Sequence, residues 1–278
     1  RFVPLWLWLD LLRVREFLVK ANAVITGASS GIGLALARNL SKKGYGLLLV
    51  ARRESRLNEI AQELGNCHVF VADLSVDSEC ERLEKFLETY DFEIFINNAG
   101  FGECGKFNAI PLKREFSMIA LNIFALHRFT KTASQLLEKK GGGYILNVAS
   151  TAGLLPAGPY MATYYATKAY AASFTQAIAN ELENSKSKVS VSCLCPGPVD
   201  TEFNQEAHVE FALPGITAEF CANYALKQMF RRKKVIVPGQ ILRIGLFFGR
   251  FLPRNLLVKI AGKQQKRKIA ESLLKNTD

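Results

Sequence analysis

Residues 163–170 read T-Y-Y-A-T-K-A-Y, with Tyr164 and Lys168 four positions apart. On a helix, residues i and i+4 share a face, so a phenol and an ammonium converge on one bound molecule. A phenol titrates near pH ~10, and a neighbouring cation favours the phenolate and lowers that value. Such a pair suits a general acid that protonates the alkoxide formed when hydride moves onto a carbonyl. Tyr165 and Tyr170 have Ala169 and Phe174 four positions on, and are assigned to packing. Ser150 follows the apolar run Y-I-L-N-V-A and opens S-T-A-G. Its hydroxyl is suited to donate to the same substrate oxygen; Thr151 is the alternative, and the S-x-A-G pattern favours Ser150.

A second group of residues suits a phosphate. The run T-G-A-S-S-G-I-G covers Thr26, Gly27, Ala28, Ser29, Ser30, Gly31, Ile32 and Gly33. Glycines permit a tight turn and close backbone approach, and a following helix offers unpaired N–H groups and a positive dipole end to a pyrophosphate. The next apolar run ends in Ala51-Arg52-Arg53. An acid there would suit a ribose 2′-hydroxyl, whereas arginine accommodates a 2′-phosphate. NADP(H) is therefore expected, with Arg52 the main contact and Arg53 in reserve; either arginine could instead be a solvated surface charge.

Buried strands must position these groups. Short, continuously apolar runs occupy 21–26, 46–51, 68–72, 93–97, 144–149, 189–194 and 234–238. Helical spacing lies between them, as in Leu34, Ala37, Leu40 and in Leu57, Ile60, Leu64. Strands apolar on both faces, alternating with helices, predict a Rossmann-type α/β fold: a doubly wound parallel seven-stranded sheet with helices on both faces. One dinucleotide-binding domain is expected over 21–238, with an N-terminal amphipathic segment (1–20) and a basic C-terminal extension (239–278).

The motifs T-G-A-S-S-G-I-G, N-N-A-G (97–100), S-T-A-G (150–153), Y-Y-A-T-K (164–168) and P-G-P-V-D-T (196–201), in that order, resemble those of the short-chain dehydrogenase/reductase family. The resemblance covers about 21–238. It implies that Tyr164 is the acid/base, that Lys168 also holds the nicotinamide ribose, and that Asn122, in A-L-N-I-F-A-L, holds a water relaying protons to Lys168. A satisfied helical asparagine is the other reading of Asn122. By the same resemblance Asp73, with Leu74 beside it, meets the adenine edge; Asp73 or Ser75 could equally cap the helix starting near Val76. Asn97, Asn98, Ala99 and Gly100 stand at the sheet's carboxyl edge, where ligands of such sheets bind, and Asn97 also admits a purely structural role. Pro196, Gly197, Val199 and Thr201 would cradle the nicotinamide. Homodimers or homotetramers follow from the resemblance alone.

Residues 202–233 occupy the family's substrate-covering position. Phe203, Phe211, Leu213, Ile216 and Phe220 read as an apolar lid or as ordinary core, and Tyr160 and Met161 as further pocket lining. A hydrophobic carbonyl compound or secondary alcohol is the expected substrate.

Charge is segregated. Residues 1–230 carry 23 Lys+Arg and 23 Asp+Glu, whereas 231–278 carry 13 and 2, so the net charge of +11 lies at the C-terminal end. There, 240–262 mixes large apolar residues with Arg243, Arg250, Arg254 and Lys259, and K-Q-Q-K-R-K follows. Three uses fit it: association with an anionic membrane surface, contact with a sister subunit, or a cover for the pocket. Without aromatic stacking platforms among the charges, nucleic acid is not expected.

The apolar start, F-V-P-L-W-L-W-L, is interrupted by Asp10 and Arg13 before it could span a bilayer, and a small-residue cleavage site is missing. The Arg1 start reads as trimmed or incomplete. An amphipathic helix, a leftover sequence or a membrane-surface anchor are the readings of this stretch. Six cysteines without a C-x-x-C pair, and three scattered histidines, predict no metal and a reducing, cytoplasmic compartment. Two rival functions stand beside a reductase: an NADPH-binding sensor or scaffold without turnover, and a membrane-surface protein whose basic tail is its main feature.

Overall fold

The computed structural model describes residues 21–203 and 215–275, with side chains as far as Lys266. Strands β1 (Asn22–Thr26), β2 (Gly46–Ala51), β3 (Cys67–Val71), β4 (Ile94–Asn97), β5 (Gly143–Val148) and β6 (Val189–Leu194) fall on the six expected apolar runs. The seventh expected run contributes only Val235–Ile236. The seven strands form one parallel sheet in the order β3-β2-β1-β4-β5-β6 followed by Val235–Ile236, with Val24 opposite Leu48 and Phe95 opposite Ile145.

Both faces of the sheet are covered, which is why its strands do not alternate with polar residues. On one face Ile25, Leu47 and Leu49 pack against helices α1 (Gly31–Lys42) and α2 (Glu54–Leu64). On the other, Val24, Leu48 and Phe95 pack against α3 (Asp77–Leu87), through Leu83, and against the helix carrying Phe129. Phe95 and Phe129 are fully buried; truncating either to alanine would cost about 3–5 kcal/mol.

The stretch that carries Asn122 is one continuous helical rod with a change of winding in it. Helix α4 (Leu112–Ile119) passes into a π-helical segment, Ala120–Ala125, and then α5 (Leu126–Lys140). Such segments frequently mark functional positions, and Asn122 is in this one. Gly141, in the left-handed conformation at φ 97°, ends α5 and lets the chain turn into β5. The Tyr164–Lys168 pair lies on α6 (Ala162–Asn184).

Two assignments of the C-terminal third change. The range 202–233 is not a cover throughout. A short ladder pairs β7 (Val199–Asp200) with β8 (Ile216–Thr217), and α7 (Ala218–Met229) then buries Cys221, Ala222, Ala225, Leu226 and Met229 in the core with α1. Small residues on that stripe let the two helices approach closely. Phe220 lies on the exposed side of α7, and Phe211 and Leu213 lie outside the described residues. The cover comes instead from beyond β9 (Val235–Ile236): α8 (Gln240–Gly249) and α9 (Arg254–Lys275) fold back over the carboxyl edge of the sheet. Leu242 reaches Gly197 so closely that a Cβ there would be 2.7 Å from Leu242 Cδ2. Arg254 donates to the Pro156 carbonyl at 3.3 Å, and Ala261 is buried. No helix among the described residues is long and apolar enough to cross a membrane.

Candidate active site

The first turn, between β1 and α1, is shaped for close approach. Gly27 and Gly31 have φ of 65° and 53°, values at which a side chain is strained. A Cβ on Gly33 would fall 2.2 Å from the Gly27 carbonyl oxygen. Asn98 ties this turn to the end of β4: its Nδ2 donates to the carbonyls of Thr26 and Gly27 at 3.0 and 3.1 Å, and its N–H donates to Thr26 Oγ1 at 3.0 Å. Ser30 is the residue before α1 and makes no side-chain cap, leaving the first N–H groups of that helix to another acceptor.

A cavity of 1410 Å³ runs from this turn along the sheet's carboxyl edge. Its walls include Gly27, Ser29, Ser30, Gly31 and Ile32, the ends of β2 and β3 at Arg52, Arg53, Asp73 and Leu74, and Asn98, Ala99 and Gly100. They continue through Ser150, Tyr164 and Lys168 to Pro196, Gly197, Val199 and Thr201. The expected cofactor-contacting residues thus face one space, except that Gly33 is not part of the wall and acts by packing. The dimensions and the glycine-lined end suit a dinucleotide.

The two arginines differ. Arg53 Nε and Nη2 donate to Ser29 Oγ at 3.2 and 3.1 Å, and Nη1 to Glu202 at 2.9 Å, so Arg53 is held against the glycine turn. Arg52 stands 3.8 Å from the Asp73 carboxylate and is the more exposed of the two. Both arginines stand on the cavity wall. Asp73 does not cap α3: its Oδ1 accepts from the Ser75 N–H and hydroxyl at 3.0 and 2.7 Å, forming a turn before the helix, and neither it nor Ser75 reaches the first turn of α3.

At the other end stand Tyr164, Lys168 and Ser150. Tyr164 and Lys168 are both buried, and Lys168 Nζ donates to the Val148 carbonyl at 3.0 Å. Burial pushes the Tyr164 phenol up to about 12, with hydrogen bonding to Ser150 pulling the other way. Burial brings the Lys168 ammonium down to about 8. Lys168 Nζ lies 5.9 Å from the centre of the Tyr164 ring, so the cation and the phenol face the cavity side by side, as helix spacing requires. Ser150 Oγ accepts from the Ala152 N–H at 3.1 Å and donates to the Pro196 carbonyl at 3.5 Å. Ser150 rather than Thr151 is the partner of the phenol. Gly153 is required by packing, since a Cβ would lie 2.2 Å from the Lys168 carbonyl oxygen.

Asn122 is buried and partnered. Its Nδ2 donates to the Phe101 carbonyl and Thr167 Oγ1 at 2.9 and 3.1 Å, and its Oδ1 accepts from the Phe101 N–H at 3.2 Å. Gly100 passes between the two groups: a Cβ there would be 2.9 Å from Asn122 Oδ1 and 3.3 Å from Lys168 Nζ. Asn97 is a core residue, donating to Thr130 Oγ1 and Asn147 Oδ1 at 3.1 and 2.9 Å. Met161 lines the cavity and Tyr160 does not; Tyr160 instead takes φ 68° and accepts from the Gly105 N–H. Phe203 packs its ring 5.7 Å from that of Tyr164. The sequence alone did not single out Gln265 as a partner of Tyr165. Gln265, buried on α9, donates to the Tyr165 hydroxyl at 2.9 Å, and its Oε1 has no partner among the described residues. No local pattern announces a contact made across 100 residues. Among the described residues there is no cluster of metal-ligating side chains.

Comparison with known proteins agrees with this geometry. The family model described as short chain dehydrogenase matches residues 21–210. An uncharacterized oxidoreductase of Staphylococcus epidermidis is 38% identical over 187 residues, covering 66% of this chain and 80% of that protein. A very-long-chain 3-oxoacyl-CoA reductase of Neurospora crassa is 34% identical over 172 residues, 58% of this chain and 52% of that protein. The chain thus spans about half the length of that reductase. Among solved structures, a short-chain dehydrogenase from Sphingobium yanoikuyae in complex with NADPH superposes with a TM-score of 0.76 at 30% identity, covering 83% of this chain and 93% of that one. A family match over most of the chain, joined to the glycine turn and the tyrosine–lysine helix facing one cavity, identifies this protein as an oxidoreductase of the short-chain dehydrogenase family.

Proposed function

We propose that the protein is an NADP(H)-dependent carbonyl reductase, or alcohol dehydrogenase in the reverse direction, acting on an apolar ketone or secondary alcohol. The observation that carries this reading is the phenol of Tyr164, buried and protonated, beside Ser150 on the wall of the cavity that begins at the glycine turn. Two arginines at the end of β2 favour a cofactor bearing a 2′-phosphate, and the Sphingobium yanoikuyae relative is one solved with NADPH. Phe101, Leu155, Met161, Phe203 and Leu246 give the substrate end of the cavity an apolar wall, and the Neurospora crassa relative is a reductase of long 3-oxoacyl thioesters by its name.

The residues divide the work as follows. Gly27, Gly31 and the start of α1 would bind the pyrophosphate, Arg53 and Arg52 the 2′-phosphate, and Pro196, Gly197, Val199 and Thr201 the nicotinamide end. NADPH, when bound, supplies the hydride that the carbonyl carbon accepts. Ser150 donates a hydrogen bond to the carbonyl oxygen, and Tyr164 gives that oxygen its proton as negative charge develops. Lys168 holds the ribose hydroxyls and passes a proton back to the phenol. Asn122, on the other side of Gly100, would hold the water through which Lys168 regains its proton.

The test is NADPH oxidation with a panel of ketones running from short aliphatic to long-chain acyl and steroid carbonyls. Turnover is expected with bulky apolar ketones, and Tyr164→Phe should lower kcat by about a thousandfold or more, the range of a lost general acid, with NADPH affinity within a few-fold of wild type. Tight NADPH binding without turnover of any ketone would favour a sensor. A Tyr164→Phe enzyme as active as wild type would remove the phenol from the mechanism.

A further inference from the structure

The helices that close the cavity present an outward face that the fold leaves unpartnered. Leu242 and Leu246 on α8 line the cavity, whereas Ile244, Phe248 and Phe251 are absent from its wall and are 56%, 62% and 74% exposed. Their spacing of four and three residues puts them on one side of the helix and the turn after it. The Phe247 ring contacts those of Phe248 and Phe251, with centroids 5.4 and 5.7 Å apart; no ring contact joins any of the three to the core among the described residues. Contiguous exposed aromatics of this kind mark an interaction surface.

Cations are carried on the same two helices and the turn between them. Arg243, Arg250, Arg254, Lys259, Lys263 and Lys266 are exposed, and none forms an ion pair with a carboxylate among the described residues. The sequence has no Asp or Glu between 220 and 270, so nothing nearby in the chain balances them. The charge decides the occupant. A second copy docking on the same face would oppose two segments that each carry 13 Lys+Arg against 2 Asp+Glu, and like charges brought together in a contact are costly. An anionic bilayer surface complements both features: aromatic and aliphatic side chains enter the boundary between headgroups and acyl chains, while arginine and lysine extend to the phosphates.

We propose that the Ile244–Phe248–Phe251 face of α8, together with the arginines and lysines of these two helices, seats the protein on an anionic lipid bilayer. The protein then lies on the surface without crossing it. Ile241 and Phe247 belong both to the cavity wall and to the exposed apolar residues of this helix, so one helix serves as wall of the cavity and as foot on the membrane. The docking is independent of the proposed catalytic chemistry and is measured without turnover.

The experiment is co-sedimentation of the full chain with vesicles of pure phosphatidylcholine and with vesicles containing one quarter phosphatidylglycerol, at low and at raised salt. Wild type should partition onto the anionic vesicles about tenfold more strongly than onto the neutral ones, less so in salt. Phe248→Glu/Phe251→Glu should lose about tenfold or more of that binding, with its thermal midpoint and solution mass unchanged. Ile244→Gln, a milder change on the same face, should weaken binding in the same direction, which keeps the test decisive if the double variant folds poorly. Wild type that ignores anionic vesicles, or variants that bind them as wild type does, would overturn the proposal. A double variant that changes only the oligomeric mass would assign the face to a second copy and overturn it equally.

Discussion

Gln265 Nε2 donates to the Tyr165 hydroxyl at 2.9 Å, joining the last helix to the one that carries Tyr164 and Lys168. Tyr165 packs in a buried cluster with Phe101, Met161 and Tyr164, as expected, and its hydroxyl has a second use. It is the point at which the cover is fastened, beside the tyrosine proposed to do the chemistry. The other half of the Gln265 amide, Oε1, is buried without a partner among the described residues, an arrangement that costs about 1–3 kcal/mol unless a donor arrives.

Tyr165→Phe removes the acceptor of that bond and leaves the buried Gln265 amide unpaired at both ends, so it is expected to destabilise the fold by about 1–3 kcal/mol. Combining it with Gln265→Leu removes the orphaned polar atoms together and should recover most of that loss. Thermal melts of the two variants check it: a double variant no more stable than Tyr165→Phe would mean that the Gln265 amide is not the source of the cost.

Lys168 gives a pH prediction whose sign is fixed by burial. Its folded value, about 8, lies below the model-compound value of 10.5. The unfolded chain therefore holds the extra proton between those two values, and stability rises with pH across that window. The penalty of burying the ammonium is fully present below about 8 and is gone near 10.5. Lys168→Met should consequently melt no lower than wild type at pH 7, with any advantage shrinking as pH rises through the window, while reductase activity falls by about a hundredfold. Calorimetry from pH 7 to 10.5 and initial rates measure the two effects separately. In wild type, reduction should decline above about pH 8 as Lys168 loses its proton, because Tyr164 stays protonated up to about 12.

The two arginines test the cofactor's 2′-phosphate. Arg53 is fixed to Ser29 of the glycine turn, and Arg52 stands beside Asp73. Losing a charge-assisted hydrogen-bonding partner of a phosphate costs about 1.5–3 kcal/mol. Arg53→Ala should therefore weaken NADPH by at least tenfold and NADH by little, and Arg52→Ala should likewise weaken NADPH more than NADH. Fluorescence titrations with both cofactors decide it. Equal losses for NADPH and NADH in both variants would deny the 2′-phosphate role to either arginine.

Much of this was legible before any coordinates. The parallel sheet was readable because strands such as G-L-L-L-V-A have no polar alternation, which only two covered faces permit. The glycine turn was readable because positive φ and close approach leave few alternatives to glycine at Gly27 and Gly31, and the Tyr164–Lys168 face because helix periodicity fixes it. Local pattern left α7 open between lid and core; Phe220 lies on its exposed side, and Ala222 and Ala225 are core. The reason is that a helix stripe of small residues carries a weak hydrophobic signal yet packs closely on α1.

The sequence by itself determined the main element types and the order of the motifs, since each depends on chain-local geometry and side-chain chemistry. Only the tertiary structure decided how deeply the Tyr164 phenol and the Lys168 ammonium are buried. It also decided that Arg53 is bonded to Ser29 of the glycine turn and that the basic C-terminal helices fold over the cavity. Those three outcomes depend on distances between residues far apart in the chain and on how much water reaches them, and neither quantity is encoded in spacing along a strand or a helix.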